Sequence, residues 1–395
     1  MKPGTPGFVG GRLREARLAR GQSRTRLGLA VGLSPQAIGG YERGALSPKP
    51  ANMHALAVAL GFPVAFFLLP SRRSDGGPSF VCSTVRMSQP ERQAAELQLD
   101  WLGHISQSLE RFVELPAARF LPRRDGGAGG LSLAEIEASA GALREAWLLG
   151  DAPVHNVVAV AEAHGICVAR VEAAHSRSLS RARAGTRPLL YIAGSRASGL
   201  PLRVDAAHQL GHLILHSRID RSKLADPVLK RRLESEARQF GAAFLLPAES
   251  FGAGLGTITI DALRAQKPKW KVPISTMLTR AAALELVGAA DFRRLWRLLV
   301  RRGWRRLEPE DGVAESERPR LLAHAFELVA ESGLALPQQV LDELGYPAED
   351  VERLAGLPAG YFAAEAPNVR LLPRFRTDTV RAGGGGKVVP FRQRH

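Results

Sequence analysis

Residues 206–216 read AAHQLGHLILH, with His208 and His212 four positions apart in an otherwise apolar run. On a helix, positions i and i+4 share a face, so both imidazoles reach one ion. Zinc in reactive sites takes three protein ligands and keeps a fourth position open. A third ligand must therefore arrive from a second element packed on the first. The segment LESEARQFGAAFLLP, 233–247, reads as a helix stopped at Pro247. Glu236 is the expected third ligand, with Glu234 as the alternative.

The flanking texture is mixed α+β. Pro153–His164 reads as a helix ended by Gly165; ICVARV (166–171) and PLLYIA (188–193) read as strands. The motif helix is expected from about Leu202 through His216. In the HExxH pattern of zinc peptidases a Glu follows the first His and takes the proton from the attacking water. Here that position is Gln209. An amide cannot accept that proton, and general-base catalysis is worth about 10²–10⁴-fold. The pattern therefore predicts metal binding with little or no hydrolysis, with Glu234 as the candidate substitute base. His216 reads as a packing residue or one that supports the ligands. Arg203 reads as a partner for Glu236 or Asp205, or as a surface charge.

Residues 8–69 carry helical periodicity broken by Gly and Ser. Helices are expected at Val9–Arg20, from Ser23 to Val31, from Ser34 to about Arg43, at Pro50–Leu60, and briefly at Pro63–Phe67. Ser23 and Ser34 are N-caps, Pro35 takes the favoured first position, and Gly32 sits where the turn needs positive φ. Short helix, Gly turn, short helix is a helix-turn-helix. The second helix, 34–43, is expected in the major groove. Gln36 there suits adenine and Arg43 a phosphate; Ser34, Gln36, Ala37, Tyr41 and Arg43 form the candidate DNA-contacting set. Gly39 and Gly40, adjacent in that helix, predict fraying or ordering only on DNA. Residues 1–75 hold 11 Lys/Arg and 3 Asp/Glu, a net of +8 (11 − 3), half of the +16 of the whole chain. That balance favours a polyanionic partner. The run RLREARLARG…LGLAVGLSPQAIGGYERG…LAVALGFPVAFF resembles the XRE (phage Cro/repressor-like) DNA-binding domain.

Between the two regions, 71–79 reads as a linker and 118–130 as a second break. Residues 90–115 and 132–149 read as helices, the latter opened by a Ser132/Glu135 capping box. Trp101 and Trp147 read as core. Beyond the metal motif, 257–265, 274–300, 321–332 and 337–345 read as helices, GWRR (303–306) as a turn, and 374–395 as a disordered basic tail. Two cysteines, Cys82 and Cys167, far apart, fit neither a disulfide framework nor a thiolate metal site. No run approaches a membrane span and no secretory signal opens the chain, so a cytoplasmic location is expected.

AAHQLGHLILH followed by EARQFGAAFLLP resembles the ImmA/IrrE family of zinc metallopeptidases, whose pattern is AHELGHLxLH and then E-A-x-x-FA-x-x-LL-x-P. HGICV, LRAQKPKWKVPISTM and RRGWRRLEPED fit the same texture. The resemblance implies His208, His212 and Glu236 as metal ligands, zinc as cofactor, and Gln209 at the general-base position. It also implies the architecture. A lambda-repressor-like helix-turn-helix (8–70) and a helical connector (71–150) precede an α+β zincin-like domain with a small sheet (151–256). A helical C-terminal region (257–365) and a basic tail (366–395) follow, mainly α overall. Fusions of this kind are regulators. The expected function is a transcription regulator, a homodimer on an operator in double-stranded DNA, with a degenerate peptidase-like domain sensing a metal, a small-molecule effector or a protein. The alternatives are an antitoxin or phage-type regulator that binds a toxin or repressor, and an active zinc endopeptidase cleaving a partner repressor.

Overall fold

The computed structural model describes residues 4–71, 80–81, 88–119, 130–172, 178–183, 185–194, 199–305, 308–311, 317–333 and 335–363. The expected linker, most of the second break and the basic tail lie outside these residues, as does Cys82.

At the N-terminus, α1 (Gly10–Ala19), α2 (Arg24–Val31), α3 (Pro35–Glu42) and α4 (Pro50–Leu60) lead into a 3-10 turn, Val64–Leu68. The side chains of Ser23 and Ser34 accept hydrogen bonds from the Arg26 and Ala37 N–H groups, both at 3.1 Å, satisfying donors that a helix start leaves open. Gly32 closes α2 at φ +68°. The fraying expected at Gly39–Gly40 does not occur. A Cβ at Gly40 would meet Leu46 Cδ1 at 2.8 Å, and one at Gly10 would meet the Tyr41 carbonyl at 2.1 Å. Close packing of α3 against α1 and the following turn offsets a helix-propensity cost of about 2 kcal/mol.

Next come β1 (Phe80–Val81), α5 (Gln89–Leu109), α6 (Leu133–Ala146) and α7 (Val157–Ala163). The Ser132/Glu135 capping box forms as expected. Helix α7 starts later than its apolar run suggests, because Asn156 caps it by accepting from the Ala159 N–H at 2.9 Å. Strands β2 (Cys167–Val171), β3 (Leu179–Arg181) and β4 (Leu189–Ala193) complete a sheet of order β1-β3-β4-β2. The β2–β4 pair is parallel and the others antiparallel.

Both faces of the sheet are covered, which is why its strands read as continuous apolar runs. Val168, Leu190 and Ile192 face one core with α8 (Gly199–His216) and α9 (Pro227–Leu245). The same core takes in α10 (Ala248–Ala253), α11 (Ile260–Trp270), α12 (Ile274–Ala283) and α13 (Ala289–Arg301). The single helix expected over 274–300 is two helices, broken where Glu285 takes φ +58° and Gly288 caps α13. Cys167, Ala169, Tyr191 and Ala193 face a second core. That core joins α5, the helix-turn-helix, α14 (Leu321–Ser332), α15 (Pro337–Leu344) and α16 (Ala348–Ala355). Trp101 of α5 is part of it, stacked on Tyr346 at 4.7 Å, and its indole N–H donates to Glu15 of α1 at 2.8 Å. Arg20 of the helix-turn-helix pairs with Asp350 of α16 at 2.8 Å. Among the described residues, no helix is long and apolar enough to cross a membrane.

Candidate metal centre and nucleic-acid interface

Helices α8 and α9 approach closely because glycines line their contact. A Cβ at Gly211 would stand 2.8 Å from the Ala237 carbonyl, and one at Gly241 would stand 2.9 Å from the His208 nitrogen. This approach brings Glu234 of α9 to the imidazoles of α8. His208 Nε2 and His212 Nε2 lie 3.0 Å apart, and Glu234 carboxylate oxygens lie 3.3 and 3.4 Å from them. His208, His212 and Glu234 each offer a ligand atom within 4.8 Å of the others. Ligands about 2.0–2.1 Å from a tetrahedral zinc are about 3.3 Å from one another, so the donor set and its spacing fit that ion.

Glu236, the ligand expected from sequence, stands elsewhere. Two residues apart on a helix is about 200° of rotation, so Glu234 and Glu236 leave α9 in different directions. A Glu236 carboxylate oxygen lies 3.0 Å from His216 Nε2, and the other accepts the Leu131 N–H at 3.0 Å. His216 Nδ1 in turn lies 3.0 Å from His212 Nδ1. One set of tautomers satisfies the chain. His212 keeps its proton on Nδ1 and donates to His216, which donates from Nε2 to Glu236. That leaves the His212 Nε2 lone pair directed at the His208–Glu234 pair. Glu236 and His216 thus orient the His212 imidazole, an arrangement that outer carboxylates also make around metal-bound histidines.

The electrostatics agree. Burial pushes the His212 imidazole down to about 3, so it is neutral and able to ligate. Burial would raise the Glu234 carboxyl, but the neighbouring His208 and His212 imidazoles outweigh that and hold it well below the carboxylate range. Phe80, a residue the sequence reading passed over, stacks on the His212 ring at 5.0 Å and shields it from one side.

Gln209 is 0 % exposed. Its amide nitrogen donates to the Ser178 carbonyl at 3.1 Å, while its buried Oε1 has no hydrogen-bond partner among the described residues. His208 opens onto a cleft of about 520 Å³ lined also by Asp205, Arg238, Thr279 and Trp296. Arg203 pairs with neither Glu236 nor Asp205. It is buried and bound to Glu317, its guanidinium also donating to the Val154 and His155 carbonyls.

On the helix-turn-helix, Ser34, Gln36 and Arg43 are exposed and Ala37 is half-buried at the start of α3. Tyr41 is not on that surface: it is 8 % exposed, and its ring packs edge-on against Phe8. Its position on α3 faces α1, which pattern alone did not resolve. Buried Glu42 accepts from Arg17 Nε at 2.5 Å and Arg24 Nε at 2.7 Å, tying α3 to α1 and α2. Arg26 is exposed on α2 and adds to the positive surface; the chain's basic excess is the one sequence signal for it.

A capped helix pair whose second helix exposes its N-terminal end, and a two-helix His/His/Glu cluster beside a small sheet, together define a helix-turn-helix domain joined to a metallopeptidase-like domain. The family comparisons agree. Residues 9–65 match the helix-turn-helix domain, and residues 161–281 match the IrrE N-terminal-like domain. The chain therefore carries these two domains in the order its sequence suggests. No curated protein matches it.

Proposed function

We propose that this protein is a transcription regulator whose IrrE-like domain holds a zinc ion through His208, His212 and Glu234 and uses it for sensing or partner binding, not for hydrolysis. The observation that carries the reading is Gln209, wholly buried, with its amide nitrogen donating to the Ser178 carbonyl. A zinc ion there would supply a positive centre that polarises a bound ligand. Hydrolysis needs in addition a group that accepts a proton, and an amide does not. The carboxylates of α9 near the histidines are engaged, Glu234 with both imidazoles and Glu236 with His216 and the Leu131 N–H. This weakens the reading of Glu234 as a substitute base.

The helix-turn-helix would act as a homodimer on a two-fold duplex site, with the N-terminal part of α3 in the major groove. Such a protein works in the cytoplasm. The core that the helix-turn-helix shares with α5, α14 and one sheet face gives the effector domain a packed route to the DNA-binding helices. The test is selection of duplexes from a random pool by the full chain, repeated with Gln36→Ala. Enrichment of a two-fold-symmetric site, weakened in the variant, is expected. A pool that shows no enrichment would sink the proposal.

A further inference from the structure

Helix α13 carries a row of arginines that neither site uses. Arg293, Arg297 and Arg301 recur every four residues and are exposed, on the side away from buried Leu295 and Leu299. Neighbouring arginines are neutralised: Arg294 pairs with Asp291 at 3.0 Å, Arg302 with Asp261 at 2.8 Å and Arg264 with Glu310 at 2.9 Å. Among the described residues, no carboxylate pairs with Arg293, Arg297 or Arg301. The Arg297 Nε donates only to the Arg293 carbonyl, at 3.3 Å. Residues 289–305 hold six Arg and one Asp, a net of +5 (6 − 1). Like charges at i, i+4 destabilise a helix by a few tenths of a kcal/mol per pair. A merely solvated face is normally interleaved with acids. Here a local rule is broken with no gain in the folded chain, as happens at functional surfaces.

We propose that this row is a second DNA-contacting surface, which grips the phosphate backbone of duplex DNA without reading its sequence. The row is about 12 Å long at 1.5 Å per residue, and the same length of duplex axis carries about seven phosphates. Three guanidinium forks therefore find phosphate oxygens without distorting the helix. The row is held firmly. Leu295 and Leu299 anchor it in the core, and the Trp304 ring just beyond it lies 4.9 Å from the Arg302 guanidinium and 6.0 Å from that of Arg264. Duplex DNA suits it better than a membrane surface. A membrane-bound helix inserts its apolar face into lipid, and that face of α13 is turned to the core: Leu295 and Leu299 are buried, with Phe292, Trp296 and Leu298 partly buried and packed against the same core. Trp296, on the same helix, lines the cleft beside His208.

The experiment is equilibrium binding of the full chain to a random-sequence duplex between about 50 and about 200 mM salt. The variant Arg293→Gln/Arg297→Gln/Arg301→Gln should lower the slope of log K against log salt by about 2.7, at about 0.9 per phosphate contact. Arg→Lys at the same three positions should keep most of the slope. Sequence preference should be unchanged by either set, whereas Gln36→Ala should weaken preference and leave this part of the slope intact. The two readings therefore fail separately. If the triple variant unfolds, each single Arg→Gln chain must lower the slope by about 0.9. A wild-type slope in the Gln variants overturns the proposal, including when they lose binding to phosphatidylglycerol vesicles instead.

Discussion

Arg203, five residues before His208 on α8, forms a buried ion pair with Glu317, which lies just ahead of α14. The same carboxylate accepts the Val157 and Val158 N–H groups at 2.8 and 3.1 Å, at the start of α7. One side chain thus ties the metal helix, α7 and the approach to α14, and α14 belongs to the core that holds the helix-turn-helix. Removing one partner of a buried pair costs about 3–5 kcal/mol. Glu317→Ala should lower unfolding stability by that order in urea titration. A change below about 1 kcal/mol would show that the pair does not hold these helices.

Glu162, at the end of α7, answers Glu317 by accepting the Arg320 and Leu321 N–H groups at 2.9–3.1 Å. Burial raises its carboxyl to about 7 despite those bonds. A folded-state value above the unfolded one means that the stability it contributes is complete below about pH 4.5 and is lost as pH rises through about 7. Glu162→Gln should flatten the fall in melting temperature over that window. An unchanged pH profile would remove Glu162 as its source.

The recognition helix separates two kinds of residue. Gln36→Ala should cost about 1–3 kcal/mol in operator affinity and relax one position of the site, with folding intact. Tyr41→Ala should instead destabilise the chain by about 3 kcal/mol, because its buried ring packs in the core against Phe8. Circular dichroism melting beside a DNA titration distinguishes the two; equal melting temperatures for both variants would contradict the assignment.

Gln209→Glu places a proton acceptor where zinc peptidases have one. Hydrolysis should rise by about 10²–10⁴-fold over wild type, read by mass spectrometry of casein digests. Wild-type activity equal to that of the variant would contradict the role given to Gln209.

Local chemistry made the helix-turn-helix legible. Ser23 and Ser34 cap, Gly32 turns the chain between α2 and α3, and the observed helices fall within a residue or so of those signals. Strands β2 and β4 announced themselves as apolar runs. Features set by tertiary packing did not. Strands β1 and β3 have two and three residues, too few for periodicity. The break at Glu285 carries no glycine at the bend itself. That Glu234 and not Glu236 meets the His208 and His212 imidazoles depends on the rotation of α9 about its own axis, set by the contacts at Gly211 and Gly241. Glu317 is 114 residues from Arg203, and no local pattern joins them.

Zinc content per chain, measured by inductively coupled plasma mass spectrometry after zinc loading and gel filtration, tests the metal centre most directly. The wild type should hold one zinc. His208→Ala/His212→Ala and Glu234→Gln should hold none, while Glu236→Gln keeps the zinc at an affinity about 10–100-fold lower. A wild type without zinc, or a Glu236→Gln chain that loses it while Glu234→Gln retains it, would contradict the ligand set and the regulator built on it.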